Sequence, residues 1–138
     1  FSDLRYDYVR SCFRKLDDVS FEEIEQLYAS MEKEGRAAIA ASAIKPDGIV
    51  IERAADMRYV GQEHAVTVEL PNKLFTDKNR SAIKRRFDEV HKVRYGTSAP
   101  KEPADLVSLR MTVLGTMRKP PKHAVEKGTE TPPKSRRS

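Results

Sequence analysis

Arg58, Tyr59 and Gln62 form the most chemically suggestive polar group in the sequence, gathered around Gly61 in Arg58-Tyr59-Val60-Gly61-Gln62. From a hairpin end, a guanidinium, a phenol and a carboxamide could reach a ligand or a neighbouring domain. The plainer alternative is that they pin the hairpin by hydrogen bonds and stacking, and the residue types favour it. His91 and Tyr95 are one helical turn apart, so both can face one spot and could share a site with Arg58 and Tyr59. A packed, hydrogen-bonded histidine on an inner helix face is the simpler expectation.

Other chemistries find less support. His64, His91 and His123 are far apart, without cysteine or carboxylates at ligand spacing, so no closed metal site is expected. Cys12 has no base beside it to make it a nucleophile. Neither a Walker-type nor a dinucleotide-type glycine loop occurs, which argues against an ATP site built within these residues alone. The basic run Arg80, Lys84, Arg85, Arg86, Lys92 and Arg94 is interrupted by Asp88 and Glu89 and lacks an aromatic platform, so it reads as a solvated helix face. Asp17, Asp18, Glu22 and Glu23 lie at a helix start, where the dipole accepts them.

The positioning elements are set by periodicity. Ile49–Arg53 reads as a strand, and Val66, Val68 and Leu70 alternate with Thr67 and Glu69 as a second, half-buried one. Gly61 between them marks a turn or bulge, through positive φ or close backbone approach. Ser20 and Glu23 make a capping box and Val19 a staple to Ile24. From there Phe21, Ile24, Leu27, Tyr28, Met31, Ala38 and Ile39 form one helical face. Gly35 in that helix suggests close packing. The helix is expected to end near Ser42, before the turn Lys45-Pro46-Asp47-Gly48. Leu74–Asn79 reads as loop. A second helix is expected over Ser81–Arg94, capped by Asn79 or Ser81 and closed by Gly96, with Ile83, Phe87, Val90 and His91 as its stripe. Thr97–Ala104 is a connecting loop and Asp105–Gly115 a last strand. Leu4, Tyr6 and Tyr8 alternate with Arg5 and Asp7, which suggests an extended piece near the start. The fold class is therefore α+β: a small, mainly antiparallel sheet, hairpin plus third strand, with two helices on one face.

Charge separates this unit from the residues after it. Residues 116–138 hold seven basic and two acidic residues and four prolines, and carry the whole net charge of +5. Residues 1–115 hold 19 of each sign and are formally neutral. The expected division is a domain over 1–115 and a Pro/Lys-rich linker or tail over 116–138. No apolar run approaches the ~20 residues that span a bilayer, so no membrane partner is expected. The start has no signal-peptide layout, and a single cysteine makes a cytoplasmic origin the default.

Asp56-Met57-Arg58-Tyr59-Val60-Gly61-Gln62 resembles the Asp-x-Arg-Tyr-x-Gly-Gln element in the C-terminal portion of the hydantoinase A/5-oxoprolinase family. Phe87, His91, Tyr95 and Gly96 are similar to that family's Phe-x-x-x-His-x-x-x-Tyr-Gly helix end. Asp3–Tyr8, His64–Val68 and Leu106–Val113 resemble its flanking strands, in the same order. The resemblance implies a non-catalytic C-terminal fragment of an ATP-dependent enzyme that opens cyclic amides such as hydantoins or 5-oxoproline; relatives carboxylate ketones. ATP and a divalent metal ion are implied for the parent, and none in this chain. The implied partners are the actin-like ATPase portion of the parent and a B-type subunit or fused half. Arg58, Tyr59, Gly61, Gln62, His91 and Tyr95 are its motif residues, without catalytic roles that can be assigned. The rival reading is a stand-alone basic module contacting nucleic acid through its tail, although a neutral folded part makes nucleic acid a poor expectation.

Overall fold

The computed structural model describes residues 4–117. The elements are β1 (Leu4–Lys15), α1 (Phe21–Ala41), β2 (Gly48–Tyr59), β3 (Val66–Glu69), α2 (Asn72–Thr76), α3 (Arg80–Tyr95) and β4 (Ala104–Thr116). The strands make one antiparallel sheet in the order β1-β4-β2-β3. The α+β class holds. The sheet has four strands rather than three, and three helices accompany it.

Alternation builds the core. In β4, Leu109, Met111 and Val113 are buried while Arg110 is exposed. Phe21, Ile24, Tyr28, Met31 and Ile39 of α1 and Ile83 and Phe87 of α3 complete it. A Cβ on Gly35 would overlap the Val113 side chain, so glycine here sets the helix-to-sheet distance. The Ser20 hydroxyl accepts from the Glu23 amide at 3.0 Å, whereas the Glu23 carboxylate meets Arg14 at 3.2 Å instead of completing a reciprocal box.

Three boundaries differ from expectation. The extended piece at the start runs through Lys15, because β4 offers a partner for Leu4 through Lys15 with one bulge between Ser11 and Arg14. The strand starting near Ile49 continues to Tyr59, because β4 pairs along its whole length, up to Tyr59 opposite Ala104. Leu74–Asn79 is not all loop: Pro71 precedes a short helix over Asn72–Thr76 that buries Phe75, at 3% exposure. α3 is capped by Asn79, whose side chain accepts from the Ala82 amide at 3.0 Å, and closes at Gly96 with φ of 82°. The expected linker or tail over 116–138 lies mostly outside the described residues, as does His123.

Candidate functional site

Tyr59, Gln62, His91 and Tyr95 come together at the end of the β2–β3 hairpin. The last residue of β2 turns its ring inward, 4.6 Å from Phe87 and 4.8 Å from His91 between ring centres. Gly61, with φ of 90°, makes the turn that brings Gln62 back beneath it. A Cβ at Gly61 would meet nothing, so it is the backbone angle and not close approach that calls for glycine.

The polar atoms form one directed chain. The Tyr59 amide donates to Gln62 Oε1 at 3.1 Å, and Gln62 Nε2 lies 2.9 Å from His91 Nε2. His91 Nδ1 lies 2.6 Å from the Thr97 carbonyl oxygen, which can only accept. Nδ1 therefore carries the proton, Nε2 accepts from Gln62, and both ring nitrogens are engaged. Tyr95 stacks on His91 at 4.9 Å and is itself 47% exposed.

A second set of bonds starts from the phenol. Tyr59 donates to Asp88 Oδ1 at 2.5 Å and accepts from the Ala99 amide at 2.9 Å. Burial, and then the Asp88 bond, push its pKa up to about 12. Lys84 Nζ reaches both Asp88 oxygens, at 2.9 and 3.2 Å, and the Pro100 carbonyl at 3.0 Å, and stands 5.3 Å from the Tyr59 ring centre. The hairpin end, α3 and the loop after it are thus held together by one phenol, one amide, one imidazole and one ion pair.

Arg58 stands apart. It lies on the opposite side of β2 from Tyr59 and pairs with Asp105 at 3.4 Å. That face is open and lattice-like: Arg110 is bound to Asp56 at 2.8 Å, Thr67 donates to Asp56 at 2.6 Å, and Thr112 donates to Asp7. The Arg5 hydrogen bond, then that of Thr112, holds the Asp7 carboxyl below its ordinary range. A shallow trough of about 660 Å³ crosses this face between Arg5, Glu52, Thr67 and Arg110. Arg5 pairs with Asp7 and Arg110 with Asp56 across it.

Asp88, Lys84 and the Thr97–Pro100 loop are the partners that the residue pattern did not single out. Asp88 looks like an interruption of a basic helix face, yet it is 9% exposed. The i,i+4 spacing of Lys84 and Asp88 was the available signal. Part of the basic face is occupied too: Arg80 donates to the Leu16 carbonyl and Arg86 to that of Glu69.

Cysteine and metal chemistry were the remaining candidates. Cys12 is half-buried, with its thiol pushed up by burial and then by Glu23, so thiolate chemistry is disfavoured. Among the described residues no three His, Cys, Asp or Glu side chains could hold a metal ion. No helix there is long and apolar enough to cross a membrane.

Residues 14–138 match a family model described as hydantoinase/oxoprolinase C-terminal domain. The caprolactamase subunit alpha of Pseudomonas jessenii is 28% identical over 123 residues, spanning 87% of this chain and 18% of its own length. An uncharacterized protein of Methanocaldococcus jannaschii is 28% identical over 119 residues, 86% of this chain and 16% of its own. Among solved structures, the ATP-dependent caprolactamase from Pseudomonas jessenii superposes with a TM-score of 0.71 at 27% identity, over 87% of this chain and 18% of that one. An acetone carboxylase, nucleotide-free, gives 0.57 at 14% identity over 86% and 18%, a likeness of fold alone. The chain thus spans less than a fifth of the length of the relatives it matches.

Proposed function

The chain belongs to the hydantoinase/oxoprolinase C-terminal domain family, and from that premise we propose that it is a non-catalytic C-terminal domain of an ATP-dependent enzyme hydrolysing a cyclic amide. In that enzyme it braces the actin-like ATPase portion or holds the B-type subunit or fused half. The observation that carries this reading is the family match over residues 14–138 together with the 28% identity to a caprolactamase subunit, which favours amide opening.

The self-contained bonding of Tyr59, Gln62 and His91 supports a bracing role, because a group with every polar atom engaged is built to hold a shape. ATP and a divalent metal ion belong to the parent enzyme in this reading. Neither a glycine phosphate loop in the sequence nor a metal cluster among the described side chains offers them a place, which is why the proposal puts them in the rest of the parent.

The test begins with the mass of the native polypeptide in its source cells, where a species several times heavier than 15.7 kDa is expected. The full polypeptide, with and without this domain, is then assayed for ATP-dependent opening of caprolactam, hydantoin and 5-oxoproline. Turnover of one of these that is lost with the domain supports the proposal. Full turnover and unchanged assembly without the domain would remove it.

A further inference from the structure

Phe13 has a left-handed backbone, with φ of 51°, inside the bulge where β1 slips register against β4. That region suits glycine or asparagine and strains a bulky L residue. The bulge has an internal purpose: it lets β1 run on to Lys15, opposite Asp105, and delivers Leu16 into the core at 2% exposure. The phenyl ring serves no such purpose. It is 69% exposed, more than any other aromatic side chain among the described residues. Val9, four residues earlier on the same edge strand, is 44% exposed. Bulges at sheet edges commonly re-aim a side chain, and here the side chain is aimed outward.

Strain at a residue persists when something outweighs it. Continued pairing and the burial of Leu16 outweigh the strain of the bulge itself, but they do not account for a phenyl side chain there, since glycine or asparagine would keep the bulge without the strain or the exposed ring. We propose that Phe13 is an anchor, seated in an apolar pocket on another domain of the same polypeptide. This rests on the reading of the chain as one domain of a long enzyme. The covalent link keeps such a pocket at high effective concentration, and most of the length of the relatives lies outside the part matched here. Buried aromatic anchors of this kind dominate contact energetics.

The test compares Phe13→Asn, which suits the left-handed backbone, in the 138-residue chain and in the full polypeptide. In the 138-residue chain the variant should melt at the same or a higher temperature. In the full polypeptide it should speed amide hydrogen exchange along β1 by about tenfold or more, the scale of losing a hot-spot aromatic, and lower the melting temperature. Opposite signs in the two settings are something a merely structural residue would not give. Equal destabilisation in both, or no change in the full polypeptide, would overturn the anchor. So would a dimer of the 138-residue chain that Phe13→Asn dissolves, which would assign the ring to a self-contact. A native mass of 15.7 kDa would remove the parent reading and the anchor together, whereas a long polypeptide indifferent to Phe13→Asn removes the anchor alone.

Discussion

Tyr59 concentrates the domain's polar bonding in one oxygen, which donates to Asp88 and accepts from Ala99. Tyr59→Phe keeps the ring stack and deletes both bonds, leaving the Ala99 amide without this partner and Asp88 dependent on Lys84. A loss of about 1–3 kcal/mol in urea unfolding is expected. The phenol also sets an alkaline limit. Its folded pKa of about 12 lies above the ordinary tyrosine value near 10, so its stabilisation is complete below about pH 10 and is lost as pH rises toward 12. Stability should fall across that window, and Tyr59→Phe should flatten the fall. Part of the slope remains with Tyr28, whose phenol burial also raises. A variant with the same alkaline slope as the parent would show that Tyr59 does not carry it. At this scale the residue types were informative and their partners were not. Tyr59, Gln62 and His91 stand out in the sequence, but Ala99 and Thr97 contribute backbone atoms, which leave no mark in residue identity.

At the scale of elements, Gly35 shows how packing overrides propensity. Intrinsic helix preference alone would make Gly35→Ala stabilising by about 1 kcal/mol. The new methyl would overlap the Val113 side chain on the facing strand, in a sheet centre that is fully packed. Overpacking of this kind costs about 1–3 kcal/mol, so the net expectation is destabilisation. The contact is separable by adding Val113→Ala. If the overlap is the cause, the double variant is more stable than the sum of the single losses predicts. Simple additivity in denaturant unfolding would refute it. The same contest explains which boundaries could be read from sequence. α1 was legible because its cap and apolar stripe are local. The overrun of β2 to Tyr59 was less so: Ala55, Met57 and Tyr59 do alternate with Asp56 and Arg58, but the paired alanines and the nearby Gly61 mask the run, and its partner β4 lies some 50 residues away. The short α2 escaped notice for a related reason: one turn with a single buried Phe75 has no period to detect.

For the whole molecule, the organising element is β4, which pairs with β1 on one side and β2 on the other. Both neighbours come from the first half of the chain, far from it in sequence, with Leu4 opposite Gly115 and Gly48 opposite Thr116. The family match begins at residue 14 and so omits nearly all of β1, although that strand covers one long edge of β4. Removing residues 1–15 would strip twelve strand residues, uncover β4 as an edge and expose the core beside Tyr6, Tyr8 and Cys12. Small domains have little stability to spare, roughly 5–15 kcal/mol, and the loss of an entire strand ladder exceeds what this core can absorb. Residues 16–138 alone should therefore show no cooperative thermal transition by circular dichroism, while the 138-residue chain shows one. Adding a peptide of residues 1–15 in excess should restore part of the transition, because the vacated edge of β4 is its template. A sharp, full-amplitude transition in the shortened chain would mean that β1 is an appended strand and that the folding unit coincides with the family segment.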